Sequence, residues 1–461
     1  MRKNLFLILL LTIISNHTFS QNALSLKECI DFALKNQPKI KSALIDEQLT
    51  VEQNKEVLGI ALPQAKATGQ FQYLFITPKQ RSSTDAFDFS SMLSFFKIDT
   101  PAYINYMNQP KQKYTELKFG LPLNTSLGIQ VSQILFDAGV LVALQARNSL
   151  EELSRLNTKR TEEEIKVAVS KAYYNCVIAE KRMTLIDENI TLLTSLESMT
   201  TKLFHEGFAE RIDADRLTVQ KNNLLTEKTK IRNLIDLSYA LLKFQMGMSL
   251  DNKISLTDEL STESVKRNLD LDKVIDYNNR IEMNLLQMAK KLNGYDVKRH
   301  KYGYLPTFVA AVSGSYASQT KAFSELFTLP YFPTGALVLN ASMPLYDGGS
   351  RKAKLQQAKL NIQKNENDID AFKQAVQLES SNARTQLVNS LMSLDNQETN
   401  INLAQKVMNI AQKKYKEGLG TNIEILQAET ALKEAQTNYY NSLFEAIIAK
   451  IDYQKSLGLL K

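Results

Sequence analysis

Side chains able to do covalent or metal chemistry are sparse in this sequence. Three histidines occur in 461 residues. His17 lies in an apolar leader, and His205 and His300 stand apart with no His-Glu-x-x-His pair to hold a zinc ion. No phosphate-cradling glycine loop and no serine-nucleophile elbow is present. Asp and Glu recur at the spacing of solvated helix faces, not as convergent pairs. These residues predict no enzyme, no cofactor and no metal site. Cys29 and Cys176 are the two cysteines, too few for a disulfide framework, and their spacing leaves open whether they pair. What remains is a set of glycines, tyrosines and carboxylates that occurs twice, and the elements that must position them.

The chain repeats itself in punctuation. Glu206-Gly207-Phe208-Ala209-Glu210-Arg211-Ile212-Asp213 returns as Glu417-Gly418-Leu419-Gly420-Thr421-Asn422-Ile423-Glu424, and Gly418 minus Gly207 is an offset of 211. Leu135-Phe136-Asp137-Ala138-Gly139 returns as Leu345-Tyr346-Asp347-Gly348-Gly349, and Leu62-Pro63 as Leu305-Pro306, in the same order. Two copies of one unit are implied. The expected organisation is a signal peptide over 1–20, a first repeat over 21–250, a linker over 251–268 and a second repeat over 269–461.

Arg2 and Lys3, the apolar run Leu5 to Ile14 and the small residues around Ser20 read as a secretory signal cleaved near Ser20-Gln21. The run is about half the length that spans a bilayer as a helix. No later run is as apolar, so any membrane crossing must use strands. The formal charge is +7. Losing Arg2 and Lys3 takes 56 basic residues to 54 against 49 acidic. Acids and bases are interleaved, as in Lys159-Arg160-Thr161-Glu162-Glu163-Glu164, which argues against a nucleic-acid partner.

Ala138 to His205 and Gly349 to Lys416 contain almost no Gly or Pro, and about 68 residues of helix would reach about 100 Å each. Leu185, Leu192, Leu196, Met199 and Leu203, and then Ile425, Ala428, Leu432, Ala435 and Tyr439, follow coiled-coil spacing. Gly207 and Gly418 have the place of left-handed C-caps, and Thr421 with Glu424 reads as a capping box that restarts the chain. Each repeat therefore holds a helical hairpin. The outgoing arms, Ile212 to Met248 and Ile423 to Leu459, are shorter than the incoming ones. Opening helices over Leu26 to Ile60 and Leu271 to Tyr302 would stack end to end with those arms to match the long helices.

Between opening and long helices the period changes to 2. Phe308, Ala310, Val312, Gly314 and Tyr316 alternate with Thr307, Ser313 and Ser315; Leu337, Leu339, Ala341, Met343 and Leu345 alternate with Asn340 and Ser342. In the first repeat Ala67, Gly69, Phe71, Tyr73 and Phe75 oppose Lys66, Thr68, Gln70 and Gln72, and Leu127, Ile129 and Val131 oppose Gly128, Gln130 and Ser132. Segments of about ten residues with one apolar and one polar face are transmembrane strands with lipid outside and water inside. Four strands cannot close a barrel, and open edges in hydrocarbon cost several kcal/mol per unpaired group, so subunits must pool strands. Pro63 to Asp137 is 74 residues and Pro306 to Asp347 is 41; the difference, 33, reads as a long surface loop within Ile76 to Thr125.

Taken with the doubled Leu-Pro, Phe/Tyr-Asp and Glu-Gly motifs, this pattern resembles the TolC-like outer membrane efflux proteins over the whole mature chain. The resemblance implies a mixed, predominantly α fold: a duplicated unit of long coiled-coil hairpins plus four transmembrane β-strands. It further implies a homotrimer whose 12-stranded β-barrel in the outer membrane continues as a periplasmic α-helical barrel. Such a protein is the passive exit duct of a tripartite efflux pump or a type I secretion system. Its partners are outer-membrane lipid, a periplasmic adaptor and an inner-membrane transporter of resistance-nodulation-division or ABC type. By the same resemblance, Gly207, Phe208, Ala209, Gly418, Leu419 and Gly420 dock the adaptor, while Tyr415, Asp213 and Glu424 form a periplasmic gate whose threefold acidic rings favour cations. Gln427 stands where relatives carry a second acidic ring, and Gly420 where a gating arginine occurs. The competing reading is a non-conducting envelope coiled coil or adhesin, which leaves the strand pairs without a purpose.

Overall fold

A computed structural model describes residues 22–83, 95–96, 105, 114–118, 120–258, 260–267, 269–328 and 330–460. The expected signal peptide lies outside the described residues. In chain order the elements are β1 (Asn22–Leu24), α1 (Leu26–Asn36), α2 (Pro38–Ala61), β2 (Gln64–Tyr73), β3 (Lys79–Ser83), β4 (Tyr114–Lys118), β5 (Leu123–Phe136), α3 (Ala138–His205) and α4 (Arg211–Met246). They continue with β6 (Ile254–Leu256), α5 (Thr262–Lys266), α6 (Ile281–Tyr302), β7 (Thr307–Thr320), β8 (Phe332–Ser342), α7 (Ser350–Lys416) and α8 (Asn422–Ser456), with 3₁₀ turns at Tyr277–Asn279 and Phe323–Phe327. Two compact units result, one from Gln53–Gln145 with Tyr295–Gln356, the other from the remaining segments. No helix of the described residues is long and apolar enough to cross a membrane.

The first unit carries an antiparallel sheet ordered β2-β5-β7-β8. Directly opposed residues in such a sheet share a face. Ala67 opposes Ile129, which opposes Gly314; Ala65 opposes Val131, then Val312, then Leu337. One face is therefore apolar, with Leu337 at 69% and Leu339 at 70% exposure. The other presents Lys66, Gln130, Ser313 and Ala336 in one row. On it Ser315 Oγ and Thr334 Oγ1 are 2.7 Å apart. Within this sheet β2 and β8 are the edges, paired along one side each. A register shift between Ile134 and Phe136 marks a bulge at the end of β5.

Several expected boundaries move. Phe75, Met343 and Leu345 fall beyond the strands, and β7 runs on to Thr320. The long loop is not wholly irregular: β3 and β4 form an antiparallel ribbon, with Arg81 opposite Glu116 and 3.4 Å between their charged atoms. The first opening helix breaks at Gln37 (ψ 126°) because the following Pro38 ring excludes the helical conformation there. The second opens at Ile281, ten residues later than expected. The preceding stretch packs Leu269, Leu271 and Ile275 against Leu387 and Tyr453 instead. Asp137 caps α3 through Val140 N at 2.9 Å. Asp347 accepts from Arg351 N at 2.9 Å and Nε at 2.8 Å.

In the helical unit the expected end-to-end joints are present, and each needs a glycine. Gly247 (φ +68°) ends α4 where an added Cβ would lie 2.6 Å from Gln37 Cα. Gly458 (φ +66°), 211 residues on, follows α8 where the same atom would lie 2.6 Å from Asn279 O. The buried seam of α3 is Ile186, Asn189, Leu193, Leu196 and Thr200. Of the five residues expected there, Leu196 alone is buried; Leu192, Met199 and Leu203 pack partly buried on its flanks. On α8, Ile425, Ala428, Leu432 and Ala435 are buried as expected, and Tyr439, the fifth expected there, is partly buried. Cys29 and Cys176 are buried free thiols, both pushed up to about 12 by burial.

Candidate functional site

The two hairpin tips close their incoming helices in the same way. After α3, Phe208 N donates to Leu203 O (2.8 Å) and Gly207 N to Phe204 O (3.0 Å). After α7, Leu419 N donates to Lys414 O (2.9 Å) and Gly418 N to Tyr415 O (3.1 Å). These are Schellman closures, in which the left-handed residue must be glycine-like; φ is +82° at Gly207 and +74° at Gly418. In such closures the residue after the glycine commonly packs back on its own helix. Here Phe208 is 81% and Leu419 76% exposed. Each tip thus holds a bulky apolar side chain in water on a rigid turn. Gly420 N also reaches Lys414 O at 3.1 Å, and a Cβ on Gly420 would lie 3.0 Å from Tyr415 N, so the second tip folds more tightly over its helix end.

The tips are joined behind these turns. Leu193, Leu217, Met408, Tyr415 and Ile425, from all four arms, share one core cluster. Asn422 Nδ2 donates to Asp213 O at 2.8 Å and contacts Asp213 Oδ1 at 3.3 Å, so the starts of α4 and α8 are tied together. Asp213 meets Asn422 and not Glu424; Arg216 Nη1 lies 3.9 Å from its carboxylate. Glu424 N donates to Thr421 Oγ1 at 3.3 Å, the forward half of the capping box, and the Glu424 carboxylate sits 3.9 Å from Lys414 Nζ. Tyr415 is buried, with its hydroxyl 2.6 Å from that of Thr200, which has no exposure.

Three polar residues behind the tips escape an apolar-periodicity reading. Asn189 Nδ2 donates to Gln436 Oε1 at 3.2 Å, both buried. Thr200 pairs with Tyr415. Glu429 is 1% exposed; Oε2 accepts from Gln220 Nε2 at 3.4 Å and Oε1 has no hydrogen-bond partner among the described residues. Burial raises the Glu429 carboxyl above its ordinary range, partly offset by Gln220 and Lys433. Continuing the 3.5-residue spacing through polar positions would have found Asn189 and Thr200. Nearby, Lys221 pairs with Glu197, whose carboxyl is lowered by that ammonium and by the Thr218 hydroxyl. These contacts tie helices together through polar side chains; among the described residues they align no nucleophile with a base.

Known proteins share both sequence and fold with this chain. A family model described as outer membrane efflux protein matches residues 282–459. Outer membrane protein TolC of Salmonella enteritidis is 21% identical, covering 73% of this chain and 69% of TolC. The proteases secretion protein PrtF of Dickeya chrysanthemi is 19% identical over 98% of this chain and 92% of its own. The crystal structure of outer membrane protein VceC from Vibrio cholerae superposes with a TM-score of 0.67 at 15% identity, covering 94% of this chain and 96% of VceC. The chain is similar to the TolC-like outer membrane efflux proteins in sequence and in fold. The family model's match falls within the expected second repeat, 269–461, and the offset of 211 carries the same punctuation into the first half of the chain.

Proposed function

We infer that this protein is the outer-membrane exit duct of an efflux pump or type I secretion system, reaching into the periplasm and working with inner-membrane components. The observation that carries the reading is the sheet β2-β5-β7-β8: one apolar exposed face, one polar face and two edges paired on one side each. In hydrocarbon such edges must be satisfied by another chain. Three copies supply twelve strands, and a closed barrel has no edge. The duct is therefore a homotrimer, with a 12-stranded barrel continued by a barrel of the long helices. It has no chemistry of its own. A resistance-nodulation-division or ABC transporter supplies energy, and a periplasmic adaptor seats on the exposed Phe208 and Leu419 and the glycine turns beside them. Tyr415, Asp213 and Glu424 form the closed periplasmic end, where three-fold repetition turns each carboxylate into a cation-favouring ring. Small molecules, metals and proteins all fit a duct that selects by delivery. A non-conducting coiled coil would need no sheet with a polar face. The deciding measurement is planar-bilayer recording of the purified protein. Discrete cation-selective steps from an SDS-resistant trimer are expected; a monomer without conductance overturns the reading.

A further inference from the structure

The strands β2, β5, β7 and β8 hold one charged side chain between them, Lys66, and no Asp or Glu. Lys66 is the third residue of β2, about 7 Å in from the start of the strand beside Pro63. It is exposed on the polar face, in the row that continues through Gln130, Ser313 and Ala336. It makes no ion pair among the described residues. β2 is an edge of the sheet, so in a pooled barrel its outer neighbour is a strand of another copy, drawn from the same four. None of these strands carries a carboxylate to set against the ammonium. Rings of lysine or arginine in a pore favour anions.

We propose that Lys66 is a charge-selectivity residue of the duct, three copies forming an ammonium ring in the barrel lumen that draws small inorganic anions. This rests on the trimeric-duct reading above. Twelve strands about 4.8 Å apart and tilted about 40° close to a diameter of about 24 Å. A lysine reaching about 6 Å inward leaves its ammonium about 6 Å from the axis. The Debye length is about 8 Å at 0.15 M salt and about 3 Å at 1 M, so in dilute salt the whole cross-section at that level feels the ring. Three unit charges at about 6 Å in water, screened at 0.15 M, enrich chloride on the axis on the order of fivefold and deplete potassium by as much; at 1 M the factor falls below about twofold. The sign is opposite to that of the acidic rings proposed at the periplasmic end. Lys66 therefore moderates the cation preference of the duct and makes it depend on salt.

The test records the full-length protein in planar bilayers and reads reversal potentials in potassium chloride gradients centred near 0.15 M and near 1 M. At the lower salt Lys66→Gln should raise the potassium-to-chloride permeability ratio by about two- to fivefold and Lys66→Glu by more, whereas Lys66→Arg should match wild type. At 1 M the differences should shrink below about twofold. Lys66→Cys should behave as the Gln variant and regain the wild-type ratio when an aminoethyl methanethiosulfonate restores the charge; Cys29 and Cys176 are buried and leave that reaction to the new thiol. This reversal is read on one assembled channel, so it carries the test even if the Gln or Glu variant assembles poorly. Conducting variants with the wild-type reversal potential, or a shift as large at 1 M as at 0.15 M, overturn the role of Lys66 and leave the duct standing. A wild-type protein that does not conduct overturns duct and ring together.

Discussion

The hydroxyl pair Thr200–Tyr415 is the contact most open to a quantitative test, since both side chains are buried and their oxygens are 2.6 Å apart. Tyr415→Phe strands the Thr200 hydroxyl where no water reaches. Leaving a buried polar group unpaired costs about 1–3 kcal/mol. Thr200 has a partial escape: Thr194 and Thr201 on the same helix donate to the carbonyls four residues back, Ile190 O at 2.8 Å and Glu197 O at 2.7 Å. The Phe variant should therefore lose about 1 kcal/mol, the low end of that range. Thr200→Val strands a tyrosine hydroxyl that has no such local carbonyl, and should lose about 2 kcal/mol. Removing both groups leaves an apolar contact of similar shape, so the double variant should lie within about 0.5 kcal/mol of wild type. The coupling is then about 3 kcal/mol. Amide exchange at Gly418 and Leu419, whose N–H groups are held by Tyr415 O and Lys414 O, reads the local opening directly. A loss of 1 kcal/mol speeds exchange about fivefold. Singles whose effects simply add in the double variant, or a Phe variant with unchanged exchange, would refute the claim that this pair locks the second tip.

Other perturbations probe different parts of the molecule. Gly247→Ala and Gly458→Ala should each destabilise by more than about 2 kcal/mol, combining left-handed strain with backbone contacts of 2.6 Å; thermal unfolding followed at 222 nm checks this, against Gly294→Ala, which meets nothing within 4 Å. Glu429→Gln should stabilise the tip bundle at pH 7.5. Because burial raises the folded carboxyl, its ionisation costs stability above that raised value, and no penalty exists below the ordinary 4.5. The gain from the substitution therefore fades as pH falls, and equal exchange protection of both proteins at neutral pH would contradict it. Nitroxides at Leu339 and Asn340, neighbours on opposite faces of β8, should divide between oxygen and an aqueous relaxation agent; a reversed division would remove the lipid-facing assignment.

Much of this was legible from local pattern. The limits of α3 came out at Ala138 and His205 because a helix with no Gly or Pro beyond Gly139 ends where a capping glycine is reached. The strand faces were legible because side-chain direction alternates with a period of 2 wherever one side meets apolar surroundings. Both are short-range signals, and duplication printed each of them twice.

Partner identity needed the fold. Asn189 and Thr200 fall outside the apolar pattern, and they are buried because Gln436 and Tyr415, more than 200 positions away, satisfy their polar atoms. The pairing of β5 with β7 across the two repeats, and the joints at Gly247 and Gly458, likewise depend on which segments meet. By itself the sequence determined the elements, their faces and their duplication. The tertiary structure decided which polar groups could leave water and which glycines had to stay glycine, since both depend on atoms supplied by distant segments of the chain.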